Sequence, residues 1–486
     1  MDAETMLRIK PELTTFLHQF DDCFGRITTR RYLDLYVEGQ LSDLPRKSLE
    51  PMADAVGEPP RNLQEFLSLF RWDEGVVRDR LQQYIARRHS HAGSVGVIDE
   101  TSFVKKGDKT AGVQRQYCGA VGKTENCVVS VHLGYATADF HTLLDGEVYL
   151  PRETWDADRD RCRKAGIPEE VVYRPKWEMA LGQYQRAVAN GVRFAWLTFD
   201  EHYGGKPPFL RALDGFGQNY VAEVPSNFPV WTARPAVLYR DHARDKTFGR
   251  LQKYPRLKVK NNPRVEVRQV LRHSPRLRKI PWETYHVKDT TKGPMVWRAK
   301  RMRVYLADEH ALPTRPYHLL LAQNALGLDE TKYFLSNGPP DTAVTTLLRV
   351  AFSRSTIERA FEDSKMELGM DHFEVRRFLS IHRHLILTGV SHTFLIEFAD
   401  TYRGKKSGPD PQPDRHRHGE AGPPLGPRRS LFPKVGGIDH RAISDNAGPK
   451  RQGRAKPPTR YDQTITCPRH PIEKHHQMPL ASVVAL

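Results

Sequence analysis

Three acidic residues have the surroundings expected of metal ligands. Asp99 and Asp200 each follow a run of apolar residues directly, which predicts that both lie at the C-terminal end of a central strand. Glu358 lies in a helical pattern with Arg354 and Lys365, and at about 100° per residue these three side chains share one helix face. Each feature has a plainer reading, namely an aspartate that caps a turn or a surface ion pair between Arg354 and Glu358. Taken together they predict three convergent carboxylates.

Convergent carboxylates need a neutralising cation, and a pair of divalent metals is the usual solution. Oxygen ligands and substrate phosphates favour Mg²⁺, with Mn²⁺ able to substitute. Two such ions would activate a water or a hydroxyl and stabilise the leaving oxygen of an in-line displacement at phosphorus. Arg354 and Lys365 would then hold phosphate oxygens. The sequence therefore predicts metal-dependent phosphodiester chemistry.

The elements that would position these residues follow from hydrophobic periodicity. Residues 3–90 show helical spacing, and beyond them the period changes to that of strands. Strands are predicted over 96–98, 113–121, 126–136, 192–199, 219–224, 303–307, 318–323 and 332–336. Helices are predicted over 175–190, 209–215, 342–365 and 381–399. This order predicts an α/β protein with a ribonuclease H-like core, a mixed sheet whose first and fourth strands are adjacent.

Positive charge is concentrated in two blocks. The chain has 486 residues and a net charge of +17, of which residues 232–303 carry +16 and residues 401–486 carry +9, so the remainder carries −8. In the first block, bases alternate with Val or Leu over 256–260 and 264–270, which favours a basic β-sheet. The second block is rich in Pro, Gly, Arg and His and resembles a solvated tail. A polyanion is the partner that this distribution predicts.

These patterns divide the chain into five parts. They are a helical N-terminal domain (1–90), which the resemblance described below implies is DNA-binding, the first part of the core (91–230), a basic β-rich insertion (231–305), the completion of the core with the helix that carries Glu358 (306–400) and a disordered tail (401–486). No apolar stretch reaches the roughly 20 residues of a membrane span, and five scattered cysteines form no zinc or disulfide pattern. A reducing cytoplasm is the expected compartment.

Four segments resemble bacterial insertion-sequence DDE transposases, also called DDE superfamily endonucleases: Val95–Lys106, Gly112–Tyr117, Thr198–Gly204 and Arg354–Gly369. The similarity is to the branch with a Tyr-Arg-Glu-Lys signature on its glutamate helix. The signature tyrosine would fall at Ala351, and the tryptophan common after the arginine is Ser355.

This resemblance implies that Asp99, Asp200 and Glu358 are the metal-binding triad and that Arg354 and Lys365 are the signature cations. It implies cleavage at transposon ends and joining to target DNA in the bacterial nucleoid, with a homodimer in the active complex because two DNA ends are handled together. Tyr203 is either an aromatic contact to DNA or a core tyrosine. Two alternatives remain open, a catalytically decayed transposase that still binds DNA and a nuclease that cleaves without joining.

Overall fold

The computed structural model describes residues 3–239, 254–290, 293–327 and 330–403. Five helices come first, with a 3₁₀ turn at His18–Cys23: α1 (Ala3–Leu17), α2 (Ile27–Leu41), α3 (Leu49–Ala55), α4 (Pro60–Ser68) and α5 (Glu74–Arg88). The helical pattern predicted for residues 3–90 is thus confirmed. The predicted tail (401–486) lies outside the described residues from 404 onward.

The middle of the chain alternates strands and helices. A π-helical turn at Arg152–Asp156 precedes the first of its helices. The strands are β1 (Val95–Val104), β2 (Gln114–Cys118), β3 (Lys123–Ala136), β4 (His141–Val148), β5 (Trp196–Phe199) and β6 (Tyr220–Glu223). The helices are α6 (Arg159–Lys164), α7 (Lys176–Ala189), α8 (Glu201–Gly204) and α9 (Pro207–Gly215).

The remaining elements include two short sheets and a long hairpin. The strands are β7 (Pro229–Val230), β8 (Val237–Leu238), β9 (Arg256–Leu257), β10 (Val265–Glu266), β11 (Glu283–Thr290), β12 (Gly293–Ala307), β13 (Pro313–Asn324) and β14 (Thr331–Ser336). The helices are α10 (Val267–His273), α11 (Pro275–Lys279), α12 (Val344–Phe352), α13 (Ser355–Leu368) and α14 (Phe378–Arg403). None of the helices in the described ranges has the length and apolar character to cross a membrane.

A mixed sheet of ten strands forms the centre of the protein. Its order is β11-β12-β13-β14-β6-β5-β1-β3-β2, and β4 also pairs with β3. Strand β5 pairs in parallel with β1 and with β6, whereas the other pairs in this sheet are antiparallel. The predicted neighbours, the first strand and the strand ending at Phe199, are therefore adjacent, which is compatible with a ribonuclease H-like core.

The sheet is buried on both faces. Adjacent residues of β1, Val97 and Ile98, pack into two different hydrophobic clusters, as alternation along a strand requires. Helices α12 and α13 cover one of these clusters, while α14 and the N-terminal helices contribute to the other. Tyr36 on α2 hydrogen-bonds His384 on α14 at 2.7 Å, so residues 1–90 and the last described helix share a core.

Several boundaries differ from the sequence prediction. Residues 264–270 form mainly helix α10 instead of a strand, because Val267 and Val270, three residues apart, are both buried on one helix face. The predicted helix 342–365 is two helices that meet at Ser353 and Arg354. The strand predicted from residue 192 begins only at Trp196, and β4 was not predicted.

Candidate active site

Asp99 and Asp200 follow the last paired residues of two neighbouring parallel strands. The parallel register of β1 and β5 ends with Ile98 opposite Phe199. Since adjacent strands lie about 4.8 Å apart, the two aspartates lie side by side where this parallel pairing ends. The prediction that Asp99 lies at the end of a strand is wrong, because β1 continues to Val104 through antiparallel pairing with β3.

Asp200 also caps the short helix that follows it. Its carboxylate accepts hydrogen bonds from the backbone N–H groups of His202 (3.0 Å) and Tyr203 (3.4 Å). The capping role considered from the sequence is therefore confirmed, and it fixes the direction of the carboxylate at the C-terminal end of β5.

Arg354 joins the first and third predicted carboxylates. Its Nη1 donates to Asp99 Oδ2 at 2.9 Å, and its Nη2 lies 2.9 Å from Glu358 Oε1. The arginine occupies the break between α12 and α13, whereas Glu358 lies in the first turn of α13 with its side chain half exposed (54%). The i,i+4 pair considered from the sequence thus forms, but the same guanidinium also reaches a buried strand.

The electrostatics show a site that is short of positive charge. Burial raises the pKa of Asp99 to about 7; Arg354 opposes this rise and the charge of Asp200 adds to it. Burial likewise raises the pKa of Asp200, against the hydrogen bond from Tyr203 and the charge of Arg354. Burial alone would lower the pKa of Arg354, but Asp99 and Glu358 raise it above its usual value. One guanidinium therefore compensates the carboxylates only in part.

Lys365 is placed further along β1. Its ammonium donates to the backbone carbonyl of Ser102 at 3.3 Å and lies 5.6 Å from the centre of the Phe103 ring. Burial lowers its pKa, so the environment of the amine is partly desolvated. Lys365 therefore contacts the strand that carries Asp99, but it does so at Ser102, three residues beyond that aspartate.

Tyr203 is fully buried, as the core alternative predicts. Its ring packs against Phe209, with centroids 6.2 Å apart. Its hydroxyl makes no hydrogen bond of normal geometry among the described residues, although burial and the charge of the nearby Glu100 carboxylate raise its pKa. A ring in this position has no face open to a DNA base.

Two polar residues near the carboxylates were missed from the sequence. Glu100 follows Asp99 directly and pairs with Lys176 on α7 at 2.7 Å. Lys288 on β11 donates to the Phe352 carbonyl (3.0 Å) and to Ser355 Oγ (2.6 Å) at the break between α12 and α13. Glu100 could have been suspected from its position beside Asp99, whereas nothing in the local sequence links Lys288 to the glutamate helix.

A groove of about 390 Å³ opens beside Arg354 and Glu358. Part of its wall is aromatic, where the rings of Trp297 and Phe352 meet at a centroid distance of 4.5 Å with their planes tilted by 39°. The hairpin β11–β12 contributes one side of the groove through uncharged residues, so part of the segment 231–305 borders Glu358.

The donor set fits a divalent cation. Asp99 and Asp200 are oxygen ligands of the kind that Mg²⁺ and Mn²⁺ prefer. The raised pKa of Asp99 shows that this carboxylate needs more positive charge than Arg354 supplies. A bound cation would provide that charge.

Comparison with known proteins gives two findings. A family model for the DDE superfamily endonucleases matches residues 19–294, a range that includes Asp99 and Asp200 and ends before Glu358. A probable transposase for insertion sequence element IS701 from Microchaete diplosiphon is 34% identical over 192 residues, which are 39% of this chain and 47% of that protein. The chain thus spans about half the length of the curated relative that it matches.

Proposed function

The chain belongs to the DDE superfamily endonucleases, and on this premise we propose that it is an insertion-sequence transposase that cleaves DNA at transposon ends and joins them to target DNA. One observation carries the proposal. Arg354 and Asp99 are 255 positions apart in sequence, yet the arginine links Asp99 to the one glutamate that the sequence singled out. A glutamate helix held against the aspartate strands is the arrangement that a three-carboxylate site needs.

Asp99, Asp200 and Glu358 are the proposed metal ligands. When two Mg²⁺ ions are bound, they supply an activated water or 3′-hydroxyl and stabilise the leaving oxygen. The chain's own contribution is to hold the carboxylates in register. Asp200 is oriented by the backbone N–H groups of α8, and Asp99 is oriented by its strand.

Arg354 is proposed to move from the carboxylates to the DNA when metal is bound in the site. In the structure its guanidinium supplies positive charge to Asp99 and Glu358. With metal in place, that charge becomes available to a phosphate oxygen of the scissile strand, for which a planar guanidinium is well shaped. Lys365 and Lys288 are proposed to add positive charge on either side.

Double-stranded DNA is the proposed partner. The +16 block within residues 232–303 is the electrostatic surface expected to contact its phosphates. Residues 1–90 are proposed to bind the terminal repeats, although their helices also pack on α14. A homodimer, one copy for each transposon end, is proposed for the active complex in the cytoplasm.

The test is the product pattern of the purified full chain on DNA that carries the element's own ends. We expect strand cleavage and end joining that require Mg²⁺ or Mn²⁺. A mobility shift without cleavage would overturn the proposal in favour of a DNA-binding protein without catalysis. Cleavage without joining would overturn it in favour of a nuclease.

A further inference from the structure

A second group of potential metal ligands lies away from the three carboxylates. His141 begins β4, Asp363 lies on α13 and His392 lies on α14. One ligand atom from each residue lies within 4.8 Å of the other two. One strand and two helices therefore direct two imidazoles and a carboxylate to one point.

Two nitrogen atoms in this group are buried without hydrogen bonds. Among the described residues, neither His141 Nε2 nor His392 Nε2 has a partner. His141 Nε2 lies 3.9 Å from Asp363 Oδ2, which is too long for a hydrogen bond. The His392 side chain is fully buried, so water does not compensate it readily. Buried polar atoms are rarely left unpaired, and each such atom requires an explanation.

The surroundings of His392 prepare it to be a ligand. Its Nδ1 lies 3.2 Å from the hydroxyl of Thr142. If Nδ1 carries the proton and donates to this hydroxyl, the lone pair of Nε2 is free for a metal, which is the usual outer arrangement of a ligating histidine.

Asp363 has a neighbour that holds its carboxylate in place. Arg359 donates from Nη2 to Oδ1 (2.8 Å) and from Nε to Oδ2 (2.9 Å). Oδ2 also faces His141, and its second lone pair is placed to share a cation with the imidazoles.

We propose that His141, Asp363 and His392 bind one Zn²⁺ ion. Two imidazoles and one carboxylate suit Zn²⁺ better than Mg²⁺, which favours all-oxygen sites. Tetrahedral bonds of 2.0–2.1 Å place ligands about 3.3 Å apart, so the donors must close by about 1.5 Å at most. The His141 side chain is 25% exposed, so the cluster lies near the protein surface. A water would be the fourth ligand of an ion held by these three side chains.

The position of Asp363 gives this zinc a structural role. Asp363 and Glu358 lie on the same helix, α13. A bound ion would tie α13 to β4 and α14 and so fix the helix that presents Glu358. The site goes beyond the proposed function, because it would bind metal whether or not the protein cleaves DNA.

The test uses the full chain stripped with EDTA and dialysed against Zn²⁺ or Co²⁺. We expect elemental analysis to find one more Zn²⁺ per chain in the unmutated protein than in His141→Gln or Asp363→Asn. The visible bands of four-coordinate Co²⁺ should be lost from the same two variants. His286→Gln removes an exposed histidine, and Asp99→Asn removes a carboxylate of the proposed catalytic site. Both controls are expected to keep the ion.

Thermal unfolding of the same samples gives a second measurement. Zn²⁺ should raise the midpoint of the unmutated chain and of both controls, but not the midpoint of His141→Gln or Asp363→Asn. The proposal is overturned if the unmutated chain binds no Zn²⁺, or if its zinc content and midpoint shift survive in the two cluster variants. Neither measurement involves DNA, so its failure is distinct from a failure of the transposase proposal.

Discussion

Asn in place of Asp99 should stabilise the metal-free protein. The raised pKa of Asp99 means that its carboxylate ionises at a cost in the folded state. The usual value of 3.8 and the folded value of about 7 differ by about three pKa units, at about 1.4 kcal/mol each. Because asparagine cannot ionise, Asp99→Asn avoids this cost. It should increase the free energy of unfolding at pH 8 by about 4 kcal/mol.

The sign of the pH dependence follows from the same linkage. Below about pH 3 Asp99 is protonated in both states and the variant gains nothing. As the pH rises from about 4 to 7, the unfolded chain loses the proton while the folded chain keeps it, so the unmutated protein loses stability. Above about pH 7 the difference is constant. It should grow by about 2.5 kcal/mol between pH 5 and pH 8.

Guanidinium unfolding in EDTA, followed by far-UV circular dichroism at pH 5, 6, 7 and 8, measures this difference. Asp139→Asn, at an exposed position, is the matched control and should change little at any pH. Saturating Mg²⁺ should stabilise the unmutated protein and have a smaller effect on Asp99→Asn. The reasoning is refuted if Asp99→Asn is no more stable than the unmutated protein at pH 8, or if its gain does not vary with pH.

Three further substitutions test the packing around the site, each by guanidinium unfolding. Tyr203→Phe removes a buried hydroxyl that lacks a partner among the described residues, so stability should rise or stay within about 0.5 kcal/mol; DNA affinity should not change, and a large loss of affinity would contradict the core placement. A Cβ at Gly204 would lie 1.9 Å from the Glu223 carbonyl oxygen, so Gly204→Ala should cost about 3 kcal/mol or more; Gly215→Ala, with nothing within 4 Å, should cost less than about 1 kcal/mol, and equal costs would refute the close approach. Lys288→Ala removes two hydrogen bonds at the helix break and should lower the free energy of unfolding by about 1–3 kcal/mol. It should also reduce the slope of the logarithm of DNA affinity against the logarithm of salt concentration by about one. An unchanged slope would exclude a phosphate contact.

The sequence predicted the strand before Asp200 and the helix of Glu358 well, because each pattern strongly favoured one type of element. The apolar run before Asp200 had to be a buried strand, and the helical spacing of Arg354 and Glu358 placed both on one face. The strand adjacency then followed from the order of elements. In each case the local chemistry left little choice.

Other features depended on contacts that no local pattern records. The alternating bases and valines at 264–270 fit a strand as well as a helix, and tertiary burial of Val267 and Val270 decided for the helix. The continuation of β1 beyond Asp99 depends on β3, which pairs with it as far as Val104. The contact of Lys288 with Ser355 joins residues 67 positions apart. Such pairs are set by the fold and not by spacing.

The central claim is that Asp99, Asp200 and Glu358 form one metal-dependent site. It is tested most directly by Mg²⁺-dependent cleavage of transposon-end DNA by Asp99→Asn, Asp200→Asn and Glu358→Gln, with Glu362→Gln as control. Glu362 lies on the same helix, and its side chain is about as exposed (57%) as that of Glu358 (54%). The account predicts that each of the three variants falls to the metal-free background while Glu362→Gln cleaves like the unmutated protein. Cleavage that survives in any of the three, in a folded variant that still binds the DNA, would contradict it.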